Sequence, residues 1–199
     1  MVAGCLGVVS RRHGRGAPHA GWQEQYRADP KTGQAPRSRR FTQAVLEMPG
    51  PNPSARPASP AIQVSFLIDT DLLSLLERTQ VPPKLANWVK NNEADLFLSV
   101  VSFAELQFGL DHAPVTHQAS LAAWLANMRR QLAPATEELT EPVLVRWKEL
   151  LAELKSKNRT MTCEDSLIAA TALLHGHTLA THNKRHFEPA GVPLVDPLA

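Results

Sequence analysis

From residue 64 onward, short runs of apolar residues alternate with segments in which apolar residues recur every three or four positions. The runs at 64–68, 95–100, 178–180 and 192–195 predict short strands. The segments between them predict amphipathic helices over about 70–78, around 85–89, from 102 to about 110, and over 115–132, 142–157 and 165–175. Strands that alternate with helices predict an α/β fold, in which a parallel sheet lies between two layers of helices.

The first part of the chain lacks this periodicity. Residues 1–61 hold 8 of the 16 prolines and 7 of the 10 glycines, and their nine basic and three acidic residues give a net charge of +6, against −4 for the remainder. Because so few apolar residues cannot offset the entropy of ordering, we expect 1–61 to be a disordered basic extension and 62–199 to be one domain. Two interpretations of the extension stay open: a tail that holds RNA electrostatically, or a dispensable segment upstream of the true translation start.

Several classes of protein do not fit the composition. No apolar run approaches the roughly 18 residues of a membrane span, and we expect no secretory signal. The two cysteines, Cys5 and Cys163, do not make a disulfide framework, so we expect a cytoplasmic protein. Histidine and cysteine do not occur at zinc-site spacing, and no phosphate-binding glycine loop or nucleophile elbow is present.

Three acidic residues occur where an apolar strand gives way to a helix, or in the first turn of a helix. Asp69 follows the strand at 64–68, Glu105 follows the second strand, and Asp165 opens an apolar helix. In a parallel sheet such positions meet at the carboxyl edge, where ligands bind. Carboxylates gathered there repel one another unless a cation lies between them, and a divalent cation suits oxygen ligands. The pattern therefore predicts a nuclease-like metal site.

Each acid also has a purely structural interpretation. Asp69, or more readily Asp71, can cap the helix that follows. Ser102-x-x-Glu105 and Thr162-x-x-Asp165 both have the form of a capping box, in which the acid bonds back to the cap residue. Glu164 points away from its neighbour Asp165 and is expected to face solvent. The recurrence of three acids at strand-to-helix transitions favours a functional role.

A polar loop from 181 to 187 adds further candidates. Asn183 is suited to holding a metal-bound water or a ligand oxygen, and Lys184 and Arg185 are suited to binding phosphate. A solvated loop without function is the alternative. Because the domain is net negative, RNA binding depends on local basic patches such as this one.

Four segments, taken together, resemble the PIN-domain family, and specifically the VapC-type ribonuclease toxins of type II toxin–antitoxin pairs. The segments are Phe66–Asp71, Ser99–Leu106, Glu164–Ala172 and Leu179–Asn183, the last leading to Phe187. Their order and spacing make the resemblance specific, and it covers residues 64–199, nearly the whole domain.

The resemblance implies a PIN-like three-layer α/β/α fold with a central parallel sheet, and a metal-dependent endoribonuclease. It implies Mg²⁺, or alternatively Mn²⁺, bound by Asp69, Glu105 and Asp165. It also implies an RNA substrate, a homodimer, and a small VapB-like antitoxin that blocks the site. Many relatives place a fourth acid where Asn183 stands, so this chain has one negative charge fewer, although an amide oxygen can still coordinate a metal or orient water.

Two other functions fit part of the pattern. A PIN fold that binds RNA or a partner protein without cleavage is favoured only by Asn183. An aspartate-nucleophile phosphatase of the haloacid-dehalogenase type is suggested by Asp69-Thr70-Asp71. Those enzymes usually carry threonine two residues after the second aspartate, where this chain has Leu73.

Overall fold

A parallel sheet of five strands forms the centre of the molecule. The computed structural model describes residues 64–78 and 80–199, so the predicted disordered extension and the boundary at residue 62 lie outside the described residues. The strands are β1 (Phe66–Ile68), β2 (Leu96–Ser99), β3 (Thr136–Glu137), β4 (Thr178–Ala180) and β5 (Leu194–Val195), in the order β3-β2-β1-β4-β5. The central strand β1 pairs in parallel with β2 and β4, with Leu67 opposite Phe97 and Leu179.

Seven α-helices surround this sheet in the described part of the chain. They are α1 (Thr70–Glu77), α2 (Pro83–Asn91), α3 (Val100–Asp111), α4 (Val115–Leu132), α5 (Glu141–Ser156), α6 (Cys163–His175) and the single turn α7 (Lys184–Phe187). Short 3₁₀ turns connect some of them. The predicted α/β class with a parallel sheet between helices is confirmed. No helix within residues 64–78 and 80–199 is long and apolar enough to cross a membrane.

Apolar side chains form two cores, one on each face of the sheet. Helices α1 to α4 cover the first core, which contains Ile68, and helices α5 and α6 cover the second, which contains Leu67. Successive side chains of a strand point to opposite faces, so neighbouring residues of β1 enter different cores. Burial on both faces explains why the β1 sequence is continuously apolar rather than alternating.

The start of α6 is fixed by two side-chain hydrogen bonds. Thr162 caps the helix, because its Oγ1 accepts a bond of 3.0 Å from the backbone N–H of Asp165. The indole Nε1 of Trp147, on α5, donates to Ser166 Oγ at 2.8 Å, and this hydroxyl donates in turn to the carbonyl of Cys163. Helix α5 therefore holds the first turn of α6, which carries Asp165, in a defined position against the second core.

Some predicted boundaries were wrong. The third helix begins at Val100 rather than Ser102, because Ser99 is its cap and the Ser99 Oγ accepts from the N–H of Val101 at 3.1 Å. The two-residue strand β3 was not predicted, and the loop at 181–187 contains the short helix α7. The strand expected at 192–195 is restricted to Leu194–Val195.

Candidate metal-binding active site

A cleft of about 460 Å³ lies at the carboxyl edge of the sheet. The four predicted site residues Asp69, Glu105, Asp165 and Asn183 all line it. They come from the end of β1, from α3, from the first turn of α6 and from the segment after β4. The other lining residues are Thr70, Asp71, Val101, Ala104, Phe108, Thr162, Glu164, His186 and Phe187. The structure thus brings together, in one cleft, residues that are far apart in sequence.

Asp69 lies at the buried floor of this cleft, with only 5% of its surface exposed. It occupies the cap position of α1, but its side chain makes no capping hydrogen bond. Its Oδ2 accepts a bond of 2.7 Å from the hydroxyl of Thr181, and that hydroxyl accepts a bond of 3.0 Å from the N–H of Asn183. The interpretation of the Asp69 carboxylate as a helix cap is therefore wrong, as is the expectation that Asp71 is the cap.

Glu105 lies in the second turn of α3 and faces the cleft. Its Oε2 accepts a hydrogen bond of 2.6 Å from the hydroxyl of Thr70. Ser102 lies inside the helix rather than at its cap, and its buried Oγ has no hydrogen-bond partner among the described residues. The capping-box interpretation of Glu105 is consequently wrong, because the predicted cap residue is not at the start of the helix.

Asp165 has a structural role and also contacts the loop opposite. Its backbone N–H donates to Thr162 Oγ1, which is one of the two hydrogen bonds of the predicted capping box. Its Oδ2 lies 3.7 Å from Nδ1 of His186, and that nitrogen lies 3.0 Å from the amide Nδ2 of Asn183. The neighbouring Glu164 is exposed at the rim of the cleft, as expected.

The cleft concentrates negative charge where water is partly excluded. Burial raises the pKa of Asp69 to about 8; repulsion from Asp71, Asp165 and Glu105 adds to this rise, and the Thr181 hydrogen bond opposes it. Burial is also the largest cause of the raised pKa of Glu105 and of the raised pKa of Asp165. Because each carboxylate disfavours ionisation of the others, the cleft favours a hard cation with oxygen ligands.

The acids are not arranged as a finished coordination shell. Within residues 64–78 and 80–199, no three side chains of the types His, Cys, Asp and Glu are already grouped so as to hold one ion. Two of the carboxylates are instead bonded to hydroxyl groups, Asp69 to Thr181 and Glu105 to Thr70. Each of these bonds involves one oxygen of the carboxylate, Oδ2 of Asp69 and Oε2 of Glu105, so the three acids share a cleft without forming a preformed metal site.

The two basic residues predicted to bind RNA do not line the cleft. Lys184 and Arg185 are the first two residues of α7, directly after Asn183, with Lys184 half-buried and Arg185 exposed. Sequence reasoning did not single out Thr181 as a contact of the acids, nor His186 as the residue between Asp165 and Asn183. A signal for Thr181 exists, because it follows β4 as Asp69 follows the neighbouring strand β1.

Comparison with known proteins agrees with this fold. The profile of the PIN domain matches residues 66–192. VapC ribonuclease Y4jK of Sinorhizobium fredii is 26% identical over 137 residues, covering 66% of this chain and 96% of the relative. Plasmid stability protein StbB of Pseudomonas syringae pv. tomato is 31% identical over 138 residues, covering 66% of this chain and 97% of the relative.

A third relative is similar in both sequence and structure. Toxin FitB of Neisseria gonorrhoeae is 26% identical over 139 residues, covering 66% of this chain and 97% of the relative. The crystal structure of FitAcB from the same organism superposes with a TM-score of 0.62 at 26% identity, covering 66% of this chain and 97% of that one. The chain is a member of the PIN-domain family.

Proposed function

We propose that this protein is a divalent-metal-dependent endoribonuclease that acts as the toxin of a toxin–antitoxin pair. The observation that carries the proposal is the buried carboxyl of Asp69, which shares an open cleft with four other acids and whose pKa is raised to about 8, mainly by burial. Ionisation of so deeply buried a carboxyl destabilises the folded protein unless a cation lies beside it, so its presence in a cleft favours a functional site. The names of the relatives, a VapC ribonuclease and a toxin, support the same activity.

Asp69 and Asp165 are assigned as direct ligands of Mg²⁺, with Mn²⁺ as an alternative ion, and Glu105 binds it directly or through water. The donor set fits such an ion, because it consists of carboxylate oxygens and Asp69 Oδ1 accepts no hydrogen bond from the described residues. A bound divalent ion supplies charge neutralisation at the phosphodiester and lowers the pKa of water. Thr181 and Thr70 orient two of the carboxylates by donating hydrogen bonds to them.

The substrate in this proposal is RNA, cut by hydrolysis. Water adds to phosphorus and the 3′ oxygen leaves, which gives a 5′ phosphate and a 3′ hydroxyl. Asn183 is assigned to orient the water or the phosphate at the cleft, where its backbone N–H is already fixed by Thr181. Lys184 and Arg185, on the adjacent turn, are assigned to the RNA backbone outside the cleft.

Two protein partners belong to the same proposal. A small VapB-like antitoxin covers the cleft and blocks it, and the toxin forms a homodimer in the cytoplasm. The antitoxin is supported by the similarity to toxin FitB and to the FitAcB structure, whereas the homodimer is inferred from the family resemblance alone. Light scattering on the purified chain tests the dimer, and co-expression with any short reading frame found beside the gene, followed by co-purification, tests the antitoxin.

The activity is tested by incubating the purified chain with cellular RNA in Mg²⁺, in Mn²⁺ and in EDTA. We expect discrete cleavage products with either ion, no cleavage in EDTA, and no cleavage by the Asp69→Asn variant. Glu149→Gln serves as a control, because Glu149 is exposed on α5 and does not line the cleft. RNA that is bound but uncut by the wild type in both ions contradicts the nuclease and indicates a binding module.

The toxin role is tested by expression in a bacterial host. Wild-type protein is expected to arrest growth, and Asp69→Asn is expected to permit it at the same expression level. Equal growth of the two strains contradicts the toxin role even if cleavage is seen in vitro.

A further inference from the structure

One wall of the active-site cleft carries an exposed aromatic side chain. Phe108 lines the same cleft as the acids, and 57% of its surface is exposed. A large apolar side chain left this open beside several carboxylates is only partly buried in the folded chain and gains correspondingly little from burial. Its exposure inside the cleft is therefore a feature that the metal-binding acids do not explain.

The position of Phe108 relative to the acids is fixed by α3. Phe108 lies three residues after Glu105, and residues with this spacing lie on the same side of a helix with Cβ atoms about 5–6 Å apart. His112, one turn further on, packs against the ring with centroids 4.1 Å apart and an angle of 32° between the planes. The His112 ring thus packs against Phe108, which still lines the cleft with most of its surface exposed.

We propose that Phe108 is a stacking platform for an unpaired nucleobase of the RNA strand, next to the phosphate that the acids bring to reaction. This inference rests on the proposed nuclease function and assigns Phe108 a part in holding its RNA substrate. Bases within a duplex are stacked on their neighbours, whereas unpaired bases are free to stack on aromatic side chains. RNA is favoured over a protein partner because Phe108 lines the same cleft as the acids that the proposed nuclease presents to a phosphate.

The proposal is tested by binding in Mg²⁺, with the full chain carrying Asp69→Asn so that RNA stays intact. The probes are a short single-stranded oligoadenylate, the same oligomer with one adenine replaced by 2-aminopurine, and an RNA of equal length whose riboses carry no bases. Adding Phe108→Ala is expected to weaken oligoadenylate binding about 5- to 150-fold, the usual effect of losing one base–aromatic stack. It is expected to leave binding of the base-free RNA unchanged and to abolish quenching of 2-aminopurine fluorescence.

Two further variants separate stacking from packing. Phe108→Trp is expected to keep or strengthen oligoadenylate binding, whereas Phe108→Leu, which stays apolar but has no planar face, is expected to behave like Phe108→Ala. Val145→Ala is the matched control, because Val145 is 53% exposed on α5 and does not line the cleft. Thermal unfolding of each variant, followed by circular dichroism, checks that the fold is retained.

Three results overturn the platform. The first is an equal loss of affinity of Phe108→Ala for the base-bearing and the base-free RNA, and the second is an unchanged affinity for both. Either result shows that Phe108 does not act on bases. Conversion of a dimer to a monomer by Phe108→Ala, seen by light scattering, assigns the ring to a second copy of the chain instead. Failure of the nuclease proposal is a separate result, because it is read from cleavage by the wild type and not from these binding measurements.

Discussion

Replacing Asp69 with Asn is expected to stabilise the folded protein at neutral pH in EDTA, although it removes a residue assigned to catalysis. The Asp69 carboxylate is buried and repelled by neighbouring acids. Asparagine has nearly the same shape, carries no charge at any pH, and its side-chain oxygen accepts the hydrogen bond that Thr181 donates to Asp69. The substitution therefore removes the cost of a buried charge and keeps the local contact.

The magnitude follows from the two pKa values of Asp69. The carboxyl has an ordinary value of 3.8, and the folded protein raises its pKa to about 8. Between these values the folded chain holds a proton on Asp69 that the unfolded chain has lost. The contribution of this proton to the free energy of unfolding is therefore fully present below pH 3.8 and is lost as pH rises towards 8. The loss is about 1.4 kcal/mol per pH unit, or about 4 kcal/mol between pH 4 and pH 7. That is a large part of the 5–15 kcal/mol typical of a domain.

The assay is urea unfolding of wild type and Asp69→Asn in EDTA, followed by far-ultraviolet circular dichroism at several pH values from 4 to 8. The two proteins are expected to have similar unfolding free energies near pH 4 and to diverge progressively above it, with the variant more stable. Glu149→Gln, at an exposed position, is expected to track the wild type. If the unfolding free energies of Asp69→Asn and wild type instead differed by a constant amount across the whole pH range, the Asp69 carboxyl would not be the source of the pH-dependent loss.

Three further substitutions test the site and the helix that supports it. Thr181→Val removes the donor to Asp69 and is expected to weaken Mg²⁺ binding about 10- to 100-fold by calorimetry, while Thr181→Ser retains it; equal loss in both variants argues against the hydroxyl. Asn183→Asp adds a fourth acid and is expected to lower the Mg²⁺ concentration needed for half-maximal cleavage, and a raised requirement refutes that role. Gly176→Ala is expected to lower the unfolding free energy by about 1–2 kcal/mol, because Gly176 ends α6 at φ +73°, which alanine adopts only with strain. An added Cβ meets no atom within 4 Å, so the backbone angle is the only cause, and an unchanged urea midpoint contradicts it.

The sequence predicted those elements whose ends are marked by residues with strong local preferences. The helix over 115–132 matches α4 at both ends, because Pro114 precedes it and Pro134 follows it. Strand β4 matches as well, since Gly176 ends the helix before it. The two residues of β3 carry no periodicity, and only pairing with Leu98 and Ser99 makes them a strand. A contact of that kind cannot be read from local sequence.

The candidate site divides in the same way. Its acids were predictable, because each follows an apolar strand or opens a helix. The hydroxyl groups that hold the acids were not, since Thr181 bonds Asp69 across 112 positions and Thr70 bonds Glu105 across 35. The predicted helix start at Ser102 was wrong because Ser99, three residues earlier, is an equally good cap and the helix begins at Val100.

The strand order has a consequence for the protein during its synthesis. The central strand β1 is made first among the described strands, but one of its edges is paired only by β4, at residues 178–180. A nascent chain that ends before β4 has an open apolar edge, and it lacks Thr181 and the loop that completes the cleft. A chain still attached to the ribosome is accordingly prone to associate through this edge, and the cleft of the proposed nuclease is complete only after almost the whole domain has left the ribosome.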